Sequence, residues 1–351
     1  MTTIRGALSP DLFAVPVVGA PLAGGPTTPA LAAAVCEAGG LGFLAAGYQT
    51  ANAVADEIEL LRRLTQRPFG VNIFYPVREQ IDDARVAAYV DLLVGESARY
   101  GAAPGEPHWT DHDWEAKLRL VQHEHPSVVS FTFGCPDREV VEALRAAGSA
   151  VWCTVTSPAE AEQAGAAGVD ALVVQGAEAG GHQASFHDHS DDPFPLLTLL
   201  QLTRRVTDLP LIAAGGIATA EAIAATLAAG AAAAQLGTAL LLTPEAGTSA
   251  VHRQALRGGR ATKLTRAFTG RRARGIVNEF MLEHDAVAPI AYPEIHYVTA
   301  PIRGAARARG DAETINLWAG QAYQLTREKP ASELVEELAH ELEQINAGAV
   351  A

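Results

Sequence analysis

The chain has 351 residues, 48% hydrophobic and 19% charged, enough apolar material for a sizeable core and too much for a disordered chain. Lys and Arg total 26 against 40 Asp and Glu; the formal net charge of −14, with no basic block, argues against nucleic acid or an anionic membrane surface as a partner. Cys36, Cys135 and Cys153 are an odd count without a CxxC spacing, which excludes a disulfide scaffold and a structural zinc site and fits a reducing, cytoplasmic setting.

The N-terminal MTTIRGALSP lacks the long apolar run of a secretory signal. The chain then alternates short Val/Ile/Leu-rich runs with Ala/Leu/Glu segments of helical spacing. Strands are predicted at Pro16–Ala20, Leu41–Ala45, Gly70–Phe74, Val128–Phe133, Ala150–Val155, Ala171–Gln175, Leu211–Ala214 and Ala232–Leu236. They are nearly continuously apolar, as parallel strands covered on both faces are. Helix starts agree with this register. Thr28-Pro29 supplies a cap and a first-turn proline, Ser157-Pro158-Ala159-Glu160 a capping-box pattern, and Thr219 a weaker cap. Glycines close the helices at Gly39-Gly40, Gly148, Gly168 and Gly230. The most apolar stretch, Ala222–Leu242, is interrupted by Thr226, Gly230, Gln235, Gly237 and Thr238 and reads as helix, turn and strand, with no membrane span.

Eight such units predict an α/β fold, a (β/α)8 TIM barrel. A doubly wound open sheet competes, but the last two strands carry the barrel's phosphate-site pattern. Two segments stand outside the repeat. Tyr75–Leu120 holds one helix-like run, Ile81–Tyr100, and a Pro/Gly break at Ala103–Pro107; Thr243–Leu325 is mixed and arginine-rich. The expected division is a core of residues 1–75 and 121–242, a smaller capping and substrate region of 76–120 and 243–325, and a C-terminal helix within 326–351, spanning Ala331–Asn346, packed on the core.

In a barrel the chemistry sits where strands end and βα loops begin. After the seventh and eighth predicted strands come Gly215-Gly216 and Gln235-Leu236-Gly237-Thr238, whose glycines let the backbone approach a phosphate. No GxGxxG or GxxxxGK[ST] pattern stands in a strand–helix context, so Rossmann and P-loop readings are weak. After the sixth strand comes Gln175-Gly176-Ala177-Glu178-Ala179-Gly180-Gly181-His182. Gln175 suits a heterocycle edge, the glycines leave room for a flat ring, and His182 suits proton abstraction. Ala23 and Gly24 after the first strand, and Asn72 in the third, face the same mouth; the Asn72 amide both donates and accepts. His182, His187, Asp188, His189, Asp191 and Asp192 crowd one loop, but without an HExxH pattern the loop reads as solvated and no metal is expected. Cys135 reads as packing. The run Arg266–Arg274, with four arginines, suits either an anion or a surface ion-pair stretch.

Taken in order, Ala20–Gly47 (APLAGGPTTPALAAAVCEAGGLGFLAAG), Phe69–Phe74 (FGVNIF), Val128–Pro136 (VVSFTFGCP), Val173–His182 (VVQGAEAGGH), Pro210–Ile217 (PLIAAGGI) and Gln235–Thr238 (QLGT) resemble the nitronate monooxygenases, formerly 2-nitropropane dioxygenases. The likeness continues through Phe268–Asn278 and Ala319–Gln321, and so spans nearly the whole chain. It implies a TIM barrel with a capping domain and non-covalent FMN. By position, Ala23 and Gly24 would line the flavin ring, Asn72, Gln175 and Gly180 would contact the cofactor, Gly215, Gly216, Gln235, Gly237 and Thr238 would hold its phosphate end, and His182 would be the catalytic histidine. Leu22 stands where the family often has Met, Gln183-Ala184 follow the histidine in place of Arg-Gly, and Trp109 and His252 lie near positions of pocket tyrosines.

The resemblance implies oxidative denitrification of alkyl nitronates, such as propionate 3-nitronate, or nitroalkanes with O2. The rival readings are an FMN-dependent NAD(P)H:quinone or enoyl-thioester reductase, a non-catalytic phospholigand-binding barrel and a metal-dependent hydrolase. An oligomer is compatible with all of them.

Overall fold

The computed structural model describes residues 12–188 and 192–348. Its strands, in chain order, are β1 (Val17–Gly19), β2 (Gly42–Ala45), β3 (Phe69–Phe74), β4 (Val128–Thr132), β5 (Ala150–Val155), β6 (Ala171–Gln175), β7 (Gly181–His182), β8 (Leu211–Ala214), β9 (Ala233–Leu236), β10 (Thr262–Thr265) and β11 (Ala273–Ile276). Eight of them pair in parallel in the order β1-β9-β8-β6-β5-β4-β3-β2. The last seam is narrow: Val18 bridges Leu41, with Gly19 N donating to Leu41 O and Leu41 N to Val17 O. Helices alternate with these strands, and the architecture is the (β/α)8 barrel with every predicted strand in place.

The local signals act as their chemistry dictates. Thr28, Ser157 and Thr219 each accept a hydrogen bond from the backbone N–H three residues on. The predicted capping box is different in detail. Glu160 turns away from Ser157 and accepts from Thr156 N and, through its other oxygen, from Phe186 N, tying the helix start to the loop beyond β7. Trp152, Phe43, Leu41 and Val18 fill the barrel interior, while a larger apolar layer joins the outer strand faces to the helices. The C-terminal helix Ala331–Gly348 packs on helices Pro29–Glu37 and Ala220–Ala228.

The run expected as one helix over Ile81–Tyr100 forms two, Asp83–Leu92 and Val94–Tyr100, with Gly95 just past the break lowering helix propensity there. Helix Trp114–Glu124 packs on β3 and on helix Ala51–Leu64 and leads into β4. Residues from 241 to 323 build a second apolar cluster with Val86, Tyr89 and Tyr100. This cap contains the antiparallel sheet β10-β11-β7, invisible to the periodicity because its strands are short and mixed in polarity. Through β7 the cap takes hold of the loop after β6: Ala273 pairs with His182 and Arg274 with Gly181.

Candidate active site

The ends of the eight barrel strands or the loops that follow them, roofed by the cap, enclose a cavity of about 510 Å3, within the ~300–1,000 Å3 usual for cofactor and ligand sites. The residues singled out from the sequence, Ala23, Gly24, Asn72, Gln175, Gly180, His182, Gly215, Gly216, Gln235, Gly237 and Thr238, all reach its wall. No Asp or Glu among the described residues lines it, although the chain is strongly acidic; Arg303, Arg307, His182, His252 and His296 do.

His182 is placed by tertiary structure. Gln175 bonds both ways to its loop, Nε2 donating to His182 O at 3.2 Å and Oε1 accepting from Ala184 N at 2.8 Å. Gln175 therefore braces the histidine and keeps one amide N–H for a ligand. The imidazole Nε2 lies 2.9 Å from Thr269 Oγ1, and the ring meets Phe133, Tyr292 and Trp318 edge-on. Part of its surface borders the cavity. Burial first, then the charges of Arg271 and Arg303, push its pKa down to about 3, so the imidazole is neutral in the unliganded site.

Arg303 is buried on helix Glu294–Ala308 and has no carboxylate partner among the described residues. It donates to Thr299 Oγ1, Asn316 Oδ1 and His296 O at 2.9, 3.0 and 2.9 Å. Those neutral acceptors hold the guanidinium without neutralising it, and burial drags its pKa down to about 10. His296 stacks on Tyr48 with ring centroids 4.2 Å apart, and Tyr292 donates to Tyr48 Oη at 3.1 Å. Tyr48, His112 and Phe133 adopt left-handed backbone conformations rare outside glycine, and all three rings gather around Phe74 at this end of the barrel. Tyr48, Phe133, Thr269, His296, Arg303 and Trp318 were not singled out from the sequence. Tyr48 and Phe133 stand at or just after the ends of predicted strands and could have been found by that signal; Thr269, His296, Arg303 and Trp318 lie on cap segments that carry no barrel-end signal.

Several sequence expectations change in detail. Asn72 Nδ2 is spent on Ser130 O, Ser130 Oγ and Thr132 Oγ1, leaving Oδ1 as the group it offers. At Gly180 the missing Cβ makes room for the chain itself: a Cβ there would lie 2.5 Å from Gly320 N. Gly24, by contrast, has nothing within 4 Å of that position, and its wall is open. Gly215 and Gly216 are left-handed at the end of β8, and Thr238 Oγ1 accepts from Gly320 N while its proton is unspent. The four arginines of residues 266–274 neither line the cavity nor form a surface stretch. Arg266 and Arg272 pair with buried Asp188, while Arg271 and Arg274 donate to carbonyls of the His182 loop. Asp188 is thus an internal anchor; burial raises its pKa, but Arg266, Arg271 and Arg272 outweigh that and hold it below the usual value. His189 and Asp191 lie outside the described residues. Trp109 donates to Val77 O away from this cavity, whereas His252 lines it. All three cysteines are buried and free. No helix among the described residues is long and apolar enough to cross a membrane.

Comparison with known proteins gives the same outline. The family profile described as "Nitronate monooxygenase" matches residues 7–341. A nitronate monooxygenase of Pseudomonas aeruginosa is 41% identical, the match covering 93% of this chain and 96% of the relative. One from Paraburkholderia phytofirmans is 40% identical over 94% of this chain and 92% of its own. Among solved structures, a nitroalkane oxidase from Streptomyces ansochromogenes superimposes with a TM-score of 0.94 at 50% identity, covering 97% and 99% of the two chains. FabK from Thermotoga maritima follows with a TM-score of 0.74 at 26% identity, covering 97% and 96%. A likeness of this extent, over a barrel whose mouth gathers every matching motif at one cavity, makes the chain a member of the nitronate monooxygenase family and an oxidoreductase.

Proposed function

We propose that the protein binds FMN in this cavity and oxidises alkyl nitronates, or the parent nitroalkanes, with O2, giving a carbonyl compound and nitrite. The observation that carries the reading is the cavity wall: among the described residues it has no carboxylate, and it holds a buried Arg303 without a counter-ion beside a neutral His182. Burying an unpaired cation costs stability, and an anion in the cavity offsets that cost.

The wall also fits FMN. Left-handed Gly215 and Gly216, Gly237 and the free Thr238 proton sit together at the ends of β8 and β9, where barrels hold phosphate, and the wall at Gly24 is open enough for a flat ring. The buried Thr248 hydroxyl, on the same wall, has no partner of its own. Ala23, Gly24, Asn72, Gln175 and Gly180 would face the ring, with Gln235 towards the phosphate end. When bound, FMN supplies the electron transfer between substrate and O2. The chain's own residues do the rest. Arg303 binds the negative charge of the nitronate, Tyr48, Phe133 and Trp318 exclude water, and His182 takes the α-proton when the substrate arrives as a neutral nitroalkane. Propionate 3-nitronate, with a second anionic end, suits a cavity that also carries Arg307 at its wall.

FabK-like neighbours share the barrel, but the relatives at higher identity are nitronate enzymes, so the enoyl-reductase reading is not favoured. Membership of an oxidoreductase family sets aside the non-catalytic barrel. The deciding experiment is anaerobic. The purified protein, loaded with FMN, is mixed with an alkyl nitronate without NAD(P)H. Bleaching of the visible flavin band, followed on admission of O2 by nitrite and a carbonyl product, is expected. A flavin band that stays unchanged with nitronate but bleaches with NAD(P)H overturns the proposal. With a neutral nitroalkane as substrate, His182→Asn is expected to lower kcat/KM by roughly 100-fold or more; full activity removes His182 from the chemistry.

A further inference from the structure

We propose that Thr269 is a positioning residue that holds His182 as its Nε2–H tautomer, so that Nδ1 is the nitrogen that accepts the substrate proton. The inference rests on the reading of His182 as a base and adds which atom acts and what fixes it.

The argument is a count of protons. A hydroxyl has one proton to donate. Thr269 Oγ1 lies 3.1 Å from Arg271 O, which can only accept, and 2.9 Å from His182 Nε2. The carbonyl receives no other hydrogen bond among the described residues, so the Thr269 proton points to it. The hydroxyl lone pair then faces Nε2, and Nε2 must carry hydrogen. The reverse arrangement would set two oxygen lone pairs against each other in a buried site and leave the Arg271 carbonyl unsatisfied. Nδ1 has no hydrogen bond to any described residue and is left as the ring's acceptor.

Thr269 is held for this task. It is 1% exposed, its N–H donates to Arg266 O, and its β-branched side chain has restricted χ1 freedom. Gly270 follows in a left-handed conformation, where a Cβ would lie 2.2 Å from Ala291 O, and its carbonyl accepts from Ala291 N. The turn is therefore locked against the cap. The charged groups acting on His182 are Arg271 and Arg303 on one side of the balance and Asp188 on the other, with Tyr292 and His296 as titratable neighbours. Burial first, and the net positive surroundings after it, keep the ring neutral, and only a neutral ring has a tautomer to choose.

The step balances without a redox change. The α-carbon proton passes to Nδ1, the C–H electron pair delocalises onto the nitro group as nitronate, and the imidazolium keeps its Nε2–H on Thr269. A substrate supplied as nitronate skips the step, which gives the test its contrast.

Holoenzyme labelled with 15N-histidine is examined by long-range proton–nitrogen correlation near neutral pH. His182 signals are identified by their loss in His182→Asn. The expected wild-type pattern is a proton-bearing Nε2 and an unprotonated Nδ1; a proton-bearing Nδ1 overturns the proposal. Thr269→Val removes the acceptor and leaves a buried N–H unpartnered, so the tautomer is expected to shift towards Nδ1–H, while Thr269→Ser retains the wild-type pattern. In parallel, Thr269→Val is expected to lower kcat/KM for a neutral nitroalkane by at least about tenfold more than for its nitronate, with Thr269→Ser restoring most of the difference. Equal losses on both substrates, or an unchanged spectrum in Thr269→Val, overturn it. If no nitro compound reacts with any variant, the proposed function fails, while the spectra still decide the tautomer.

Discussion

Arg303 is an electrostatic anomaly of the site: a buried guanidinium, three neutral oxygen acceptors and no counter-ion among the described residues. A structural arginine in such a place is normally paired, because an unpaired buried charge is costly. Its neutral acceptors fix direction without cancelling charge, as an anion-binding group requires. Arg303→Met is expected to raise KM for an alkyl nitronate by roughly 10- to 100-fold, the loss of one hydrogen bond to a charged group, without an equal fall in kcat. Steady-state kinetics with nitronate as the varied substrate check this; an unchanged KM contradicts an anion-binding role. Arg303 was not legible beforehand. A helical arginine near other arginines looks like solvated surface, and only the packing of the helix within the cap, with Asn316 as an acceptor from outside the helix, turns it inwards. Asn72 was legible in place but not in detail, since its donor is consumed by β4, a neighbour that only sheet register brings alongside.

At the scale of elements, the site depends on a two-residue strand. β7 leaves the barrel end, pairs with β11 and returns, so His182 belongs to the cap sheet as much as to the barrel. Asp188 anchors this loop: its oxygens accept from Arg266 Nε at 2.8 Å, Arg272 Nε at 2.7 Å and Arg272 N at 3.1 Å. Removing one partner of a buried ionic cluster leaves the others uncompensated, at a cost of about 3–5 kcal/mol. Asp188→Asn is therefore expected to lower thermal stability markedly and to reduce nitronate turnover together with it, measured by calorimetry and kinetics on one preparation. A variant of wild-type stability would mean that the cluster does not hold the loop. The barrel strands were readable because each is a continuous apolar run between turn residues. β7, β10 and β11 were not, since a strand of two to four mixed residues has no period to detect.

Across the whole molecule, a chain of net charge −14 builds a cavity wall that among the described residues is free of carboxylates, a segregation that favours anions locally. The same design buries histidines. His182 is pushed down to about 3, His112 and His252 to about 4, and His296 well below its ordinary value, in every case chiefly by burial. The unfolded chain takes up these protons near pH 6.5, whereas the folded chain resists them until the pH is far lower. Between those values the unfolded state binds more protons, so stability falls as pH falls. The contribution is complete above about pH 6.5 and is lost towards pH 3–4. Thermal melts of the cofactor-free protein are expected to be flat above about pH 7 and to drop steadily below about pH 6; a melting temperature constant down to pH 4 would show that these histidines are not buried neutral.

The sequence by itself determined the barrel, the order and placement of its strands, the caps that start its helices and the loops that face its mouth. These are local matters of periodicity, turn chemistry and propensity, repeated eight times until they agree. The tertiary structure alone decided the roof: which nitrogen of His182 is committed to Thr269, which arginine stands unpaired, and which glycine clears space for the chain and not for a ligand. The first and last of those outcomes rest on contacts between segments 80 or more positions apart, His182 with Thr269 and Gly180 with Gly320, and no local signal in either segment names its partner; Arg303 is held by nearer residues, and only its burial in the folded cap sets it apart.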